Sequence, residues 1–222
     1  MYIVITGTSR GIGLELTRLA LEEGHHVLAV ARKPEESQEL MNLKHNFKTL
    51  EVLALDLLKS DSPDIIASKV SSWPQVDVVI NNAGVLLGDE TIKDFELSFL
   101  TNSIKPLFIT KSLIPKLKKS SRPLSLQISS LMGSIEDNTS GGNYSYRASK
   151  TALNMLFKCL SADESWLTSV LIHPGWVKTR MGGQGAPTSV AESAGGIWKI
   201  VQEAKPAHNG KFITFKQEPL PW

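Results

Sequence analysis

Tyr146 and Lys150 stand four residues apart in a stretch, 144–161, whose apolar spacing predicts a helix, so the two side chains share one face. A phenol titrates near ~10, too high for efficient acid–base work at neutral pH. An ammonium within about 4–6 Å favours the phenolate and is expected to bring that value down. Ser130 follows an apolar run, 123–129, and its hydroxyl can hydrogen-bond a substrate oxygen and hold it against the phenol. Together these three groups describe proton transfer to or from an oxygen. A Tyr-x-x-x-Lys pair alone would more often be a surface pair, so its meaning depends on what lies around it.

A fourth candidate lies upstream. Residues 91–119 read as a long, mostly helical run carrying Pro106 and Pro115. Pro106 has no N–H, so the carbonyl of Asn102 loses its helical partner. A freed carbonyl and an amide side chain can hold a water inside a helix; a plain kink is an equally good reading.

The elements that must position these groups begin at the first residues. Residues 2–5 form a short apolar, β-branched run that reads as a strand buried on both faces. Gly7, Gly11 and Gly13 punctuate the turn after it, and Leu14, Leu16, Leu19, Ala20 and Leu21 then recur at helical spacing. Strand, glycine turn and helix N-terminus make an anion site, where backbone N–H groups and the helix dipole favour a phosphate. Glycine lets a diphosphate approach the backbone with no Cβ between. The spacing is Gly-x-x-x-Gly-x-Gly rather than the commoner Gly-x-Gly-x-x-Gly.

Further buried strands are expected at 26–31, 51–55, 76–80, 123–129, 166–173 and 211–215, with helices at 63–70 and 189–202. Six or seven strands alternating with helices predict a single-domain, Rossmann-type, doubly wound parallel α/β sheet of about seven strands with helices on both faces. Its ligand edge would collect the glycine turn, Asn81 to Gly84, Ser129 with Ser130, and the loop opening at Pro174-Gly175. The strand at 26–31 ends in Ala31-Arg32-Lys33, with Arg10 in the glycine turn and no carboxylate. An acid there would suit a ribose 2′-OH; cations suit a 2′-phosphate, so NADP(H) is expected. Asp56 can accept from an adenine amino group or cap the next segment. Residues 181–185 (MGGQG) are glycine-rich enough to form a lid.

Composition is that of an ordinary soluble chain: 222 residues, 41% hydrophobic, 21% charged, net charge +2. Nothing in it calls for nucleic acid or a membrane. A single cysteine, Cys159, and a strand starting at Tyr2 lead to the expectation of a reducing, cytoplasmic setting without a targeting peptide. No metal site is expected.

Taken together, the chain resembles the short-chain dehydrogenase/reductase family. Residues 6–13 match its Thr-Gly-x-x-x-Gly-x-Gly, residues 81–84 its Asn-Asn-Ala-Gly, and residues 174–179 its Pro-Gly segment. Asn102, Ser130, Tyr146 and Lys150 fall where its catalytic tetrad lies. Residues 133–142 and the ending Leu220-Pro221-Trp222 look like its C-factor/sniffer, carbonyl-reductase-like branch. The Ser130–Tyr146 interval is three residues longer than the family's commonest spacing, so the choice of Ser130 over Ser129 rests on that branch.

The resemblance implies hydride transfer between C4 of a nicotinamide and a carbonyl or alcohol carbon of a small molecule. It gives Tyr146 the proton, Lys150 the ribose, Ser130 the carbonyl and Asn102 the water relay. It implies cofactor contacts from Gly7, Ser9, Arg10, Gly11, Ile12, Gly13, Arg32, Asp56, Leu57, Asn82, Ala83, Gly84, Pro174, Gly175, Val177 and Thr179. It also implies a homodimer, or a tetramer, through the 144–161 helix, where Ala148, Ala152, Met155, Leu156 and Cys159 line a side apart from Leu153, Phe157 and Leu160. Some relatives in this branch are associated with signalling, so a cofactor-binding regulator is the alternative to an enzyme. The segment after Pro174 is short, which leaves the substrate open.

Overall fold

The computed structural model describes residues 1–88 and 90–222. Seven strands form one all-parallel sheet: β1 Tyr2–Thr6, β2 His26–Ala31, β3 Leu50–Ala54, β4 Val78–Asn81, β5 Leu124–Ile128, β6 Thr168–His173 and β7 Lys211–Thr214. Their order is β3-β2-β1-β4-β5-β6-β7. The winding reverses between β1 and β4, and the crevice outside their C-terminal ends is where such sheets bind ligands.

The central strands β1, β4 and β5 are buried on both faces because helices cover both. In β1, Ile3 and Ile5 enter one core with α1 (Gly11–Glu22) and α7 (Val190–Glu203), while Val4 enters the other, with α3 (Ser62–Lys69), α5 (Lys105–Leu117) and α6 (Tyr144–Asp163). That alternation is the period of two of a pleated strand. A helix the sequence reading did not contain, α2 (Gln38–Asn46), precedes β3; Ser37 caps it by accepting from the Leu40 N–H at 3.3 Å. Four strands, β4, β5, β6 and β7, are shorter than expected. Val76 gives its N–H to the Lys116 carbonyl, so β4 pairing starts at Val78, and β6 begins at Thr168. Among the described residues no helix is long and apolar enough to cross a membrane.

The helical run at 91–119 resolves into α4 (Ile92–Phe99), a π turn at Leu100–Ile104, and α5. The Lys105 N–H reaches the Leu100 carbonyl, five residues back. Pro106 sits two residues past the end of this turn, and the inserted residue is how the backbone accommodates it. The interruption is thus a π bulge rather than a simple kink, and it buries Asn102 and Ser103.

Candidate active site

The glycine turn is built by close approach. A Cβ on Gly13 would lie 2.4 Å from both the Gly7 carbonyl oxygen and Asn82 Nδ2, and one on Gly7 would lie 2.8 Å from Ala83 Cα. Gly7 also has φ +73° and Gly11 φ +59°, the left-handed region that glycine tolerates. Asn82 clamps the turn: its Nδ2 donates to the carbonyls of Thr6 (2.9 Å) and Gly7 (3.0 Å). Thr6 Oγ1 in return accepts from the N–H groups of Asn82 and Ala83, both at 3.1 Å. Among the described residues no side chain caps the N-terminus of α1, and no acid stands in its first turn. Gly11, Ile12 and Gly13 therefore present a cradle that fits a diphosphate.

Around the end of β2, Arg10 and Arg32 are exposed and, among the described residues, have no ion-pair partner, whereas Lys33 is taken by Glu36 at 2.6 Å. The Ser9 carbonyl accepts from Ser37 Oγ at 2.7 Å, tying the glycine turn to the start of α2. Asp56 Oδ1 accepts from the Leu58 N–H at 3.0 Å, so it caps its own turn and keeps its second oxygen available. Leu57 packs against the core that holds α3 and α5.

At the other end of the crevice the four candidate catalytic groups come together. Lys150 is 4% exposed; its Nζ donates to the Ile128 carbonyl at 2.7 Å and lies 5.7 Å from the centre of the Tyr146 ring. Gly84 makes this convergence possible, since a Cβ there would lie 3.2 Å from Asn102 Oδ1 and 3.7 Å from Lys150 Nζ. The Asn102 side chain is fully engaged, accepting from the Val85 N–H (2.8 Å) and donating to the Val85 carbonyl (2.9 Å) and Ser149 Oγ (3.0 Å). Of the two serines, Ser129 donates to Asn154 Oδ1 at 2.6 Å inside the core, and Ser130 is the one whose hydroxyl meets the Tyr146 phenol.

The electrostatics correct one expectation. Burial pushes the Tyr146 phenol up, and the hydrogen bond with Ser130 only partly offsets it; the ammonium does not bring it down. Burial also lowers Lys150, to about 8, because a dry site disfavours the charged form of either group. The phenol is therefore held protonated at neutral pH, which is the form a proton donor needs.

The loop after β6 closes over the glycine turn. A Cβ on Gly11 would touch the Thr179 methyl at 3.4 Å, and the Thr179 N–H donates to the Val177 carbonyl at 2.7 Å. The Pro174 carbonyl accepts from Ser193 Oγ at 2.7 Å, and Gly175 packs on Phe215. The glycine-rich stretch 181–185, expected as a lid, is bonded within its own loop. The Gly182 N–H bonds Thr179 Oγ1 (3.1 Å), its carbonyl accepts from Trp176 Nε1 (2.7 Å), and a Cβ on it would collide with the Val177 carbonyl at 2.1 Å. Gly182 serves there as packing, while Gly183 takes a left-handed φ of +76° in open space.

Two residues beside the site were not singled out from sequence. Glu90 accepts from the Ser145 N–H at 3.0 Å and so caps α6 just ahead of Tyr146; the contact spans 55 residues and leaves no local signal. His173, the last residue of β6, has a buried Nδ1 with no partner among the described residues, and burial lowers its pKa to about 4 against an opposing pull from Asp137. The unfolded chain binds a proton near ~6.5, so between those two values it holds more protons than the folded one and stability rises with pH. Chemical denaturation is expected to show roughly 3 kcal/mol lost as pH falls from about 6.5 to 4. His173→Gln should flatten that slope, and an unchanged slope would show that another group causes it.

The first 189 residues match the family model described as short chain dehydrogenase. The chain belongs to the short-chain dehydrogenase family. It is 39% identical over 164 residues to the C-signal protein of Myxococcus xanthus, an alignment covering 70% of this chain and 98% of that one. Among solved structures it superimposes on the carbonyl reductase Sniffer of D. melanogaster with a TM-score of 0.95 at 33% identity, covering 100% of this chain and 99% of that one. On the NADPH-bound carbonyl reductase from chicken fatty liver the TM-score is 0.94 at 32% identity, covering 100% and 98%.

Proposed function

We propose that this protein is an NADPH-dependent reductase of small ketones, aldehydes or quinones. The observation that carries the reading is the meeting of Asn102 and Lys150 at Gly84, with Lys150 beside the Tyr146 ring and Tyr146 against Ser130, in the same crevice as an uncapped glycine turn. NADPH, when bound, supplies the hydride that reduces the carbonyl carbon. Gly7 to Gly13 hold its diphosphate, Arg10 and Arg32 meet the 2′-phosphate, and Asp56 and Leu57 flank the adenine. Asn82, Ala83 and Gly84 shape the floor, and Pro174, Gly175, Val177 and Thr179 bound the carboxamide side. Ser130 orients the substrate oxygen and Tyr146, protonated because it is buried, gives its proton to the developing alkoxide. Lys150 has donors left beyond its bond to Ile128 and turns them to the ribose hydroxyls. The Asn102 carbonyl, freed by Pro106, anchors the water that returns a proton.

NADPH absorbance followed against a panel of carbonyl compounds tests the activity; no consumption with any of them would refute it. Two arginines on a 2′-phosphate, at about 1.5–3 kcal/mol each, should favour NADPH over NADH by at least about 100-fold. Equal affinities would overturn the cofactor assignment.

The likeness to C-signal favours a second reading, a cofactor-binding regulator with little turnover. A binding role alone gives no use to a protonated phenol beside a buried lysine, so the enzyme is preferred. The place of action is taken to be the cytoplasm.

The protein is proposed to act as a homodimer, or a pair of them. Leu153, Phe157 and Leu160 of α6 are buried in the core, while Met155 is 64% exposed and Cys159 is exposed beside the half-covered Ala148, Ala152 and Leu156. An apolar side left outward calls for cover. Light scattering at micromolar concentration is expected to give at least twice the chain mass; a monomer mass would reject the dimer.

A further inference from the structure

Lys105 is the first residue after the π turn and is only 5% exposed, yet no carboxylate accompanies it among the described residues. Its Nζ donates instead to two backbone carbonyls, those of Lys59 (2.5 Å) and Ser60 (3.3 Å). Burying an ammonium costs several kcal/mol unless its protons are satisfied, and an apolar side chain of the same length would fill the space at less cost. What the charge holds is the segment that follows β3. There the Lys59 N–H bonds the Asp56 carbonyl (3.2 Å), Ser62 Oγ bonds the Leu57 carbonyl (2.9 Å), and Asp56 caps Leu58. Lys59 and Ser60 are themselves exposed, so this turn has little packing of its own to fix it.

We propose that Lys105 is a positioning residue for the adenosine half of the cofactor, gripping the turn that carries Asp56 and Leu57. This rests on the NADPH reading above. The π turn explains why the residue can reach. One inserted residue buries Asn102 on the side of Val85 and Ser149 and, three positions on, Lys105 on the side of Lys59 and Ser60. A single backbone irregularity thus braces both ends of the crevice, Asn102 the catalytic end and Lys105 the nucleotide end.

The test is Lys105→Met, which keeps an unbranched stem and removes the donors. In the protein without added cofactor, hydrogen exchange at amides 57–62 should speed by about tenfold or more, with β1 and β4 unchanged. Affinity for NADPH and for 2′,5′-ADP should fall together by about tenfold, while kcat at saturating NADPH stays within about twofold. Lys105→Gln, which keeps a donor, should show the same pattern more weakly and stands in if the Met variant does not fold. Unchanged exchange at 57–62, unchanged affinity for 2′,5′-ADP, or a loss of protection spread over the whole sheet would overturn the assignment. Should the wild-type chain bind neither nucleotide, the NADPH reading falls, and the exchange result still reports separately whether Lys105 holds the turn.

Discussion

Tyr146→Phe is expected to lower kcat by about 10²–10⁴-fold while leaving the NADPH dissociation constant within about twofold of wild type. The phenol is 8% exposed, so the ring of phenylalanine fills the same space and only the hydroxyl is lost. That hydroxyl meets Ser130 on a ring whose centre lies 5.7 Å from Lys150 Nζ, but it holds none of the elements together. The loss therefore falls on the chemical step: the alkoxide must take its proton from water, and the carbonyl loses one of its two hydrogen-bond partners. Turnover and binding measured side by side check this. Retained activity would remove Tyr146 from the reaction, and a parallel loss of NADPH affinity would make its role one of binding.

Gly13→Ala is the second large effect, on binding rather than chemistry. The new methyl would sit 2.4 Å from the Gly7 carbonyl oxygen, a backbone atom that cannot rotate away, and 2.4 Å from Asn82 Nδ2. Either α1 retreats from the turn or the Asn82 clamp opens, and both move the N–H groups that face the diphosphate. Overpacking of this kind costs about 1–3 kcal/mol of stability, and loss of two charge-assisted contacts weakens NADPH by at least about 100-fold. Gly195→Ala in α7 is the control. Nothing lies within 4 Å of a Cβ there, so binding should not change and stability should rise by up to about 1 kcal/mol. Calorimetric titration of both variants decides it; a Gly13→Ala protein that binds NADPH normally would show the turn does not seat the cofactor.

The sheet was legible in the sequence because strands buried on both faces leave continuous apolar, β-branched runs. The glycine spacing was legible as well, though its cause was not: Asn82 reaches the turn from 75 residues away, and no local pattern records that contact. Helix α2 was missed because Leu40 is its one buried residue, so a cap at Ser37 was nearly the whole of its signal. The Tyr146 shift had the wrong sign because sequence shows that a lysine is near but not how dry the site is; desolvation outweighs the ammonium. In the 181–185 loop the sequence does not tell the glycines apart: Gly182 is a wedge against Val177, and Gly183 takes a left-handed φ of +76°. Pro106 points to a break in the helix, and a proline alone does not distinguish a π bulge that serves Asn102 and Lys105 from an idle kink.

The central claim is that hydride passes from NADPH to a carbonyl carbon while Tyr146 supplies the proton. Its most direct test is to incubate the protein with a reactive ketone or quinone and NADPH carrying deuterium at C4, in each of the two C4 configurations, and to analyse the alcohol by mass spectrometry. Transfer of one deuterium to the carbinol carbon from one configuration, lost with Tyr146→Phe, is the expected result. NADPH that binds tightly but passes no deuterium to any carbonyl compound would contradict it and leave a cofactor-sensing protein in its place.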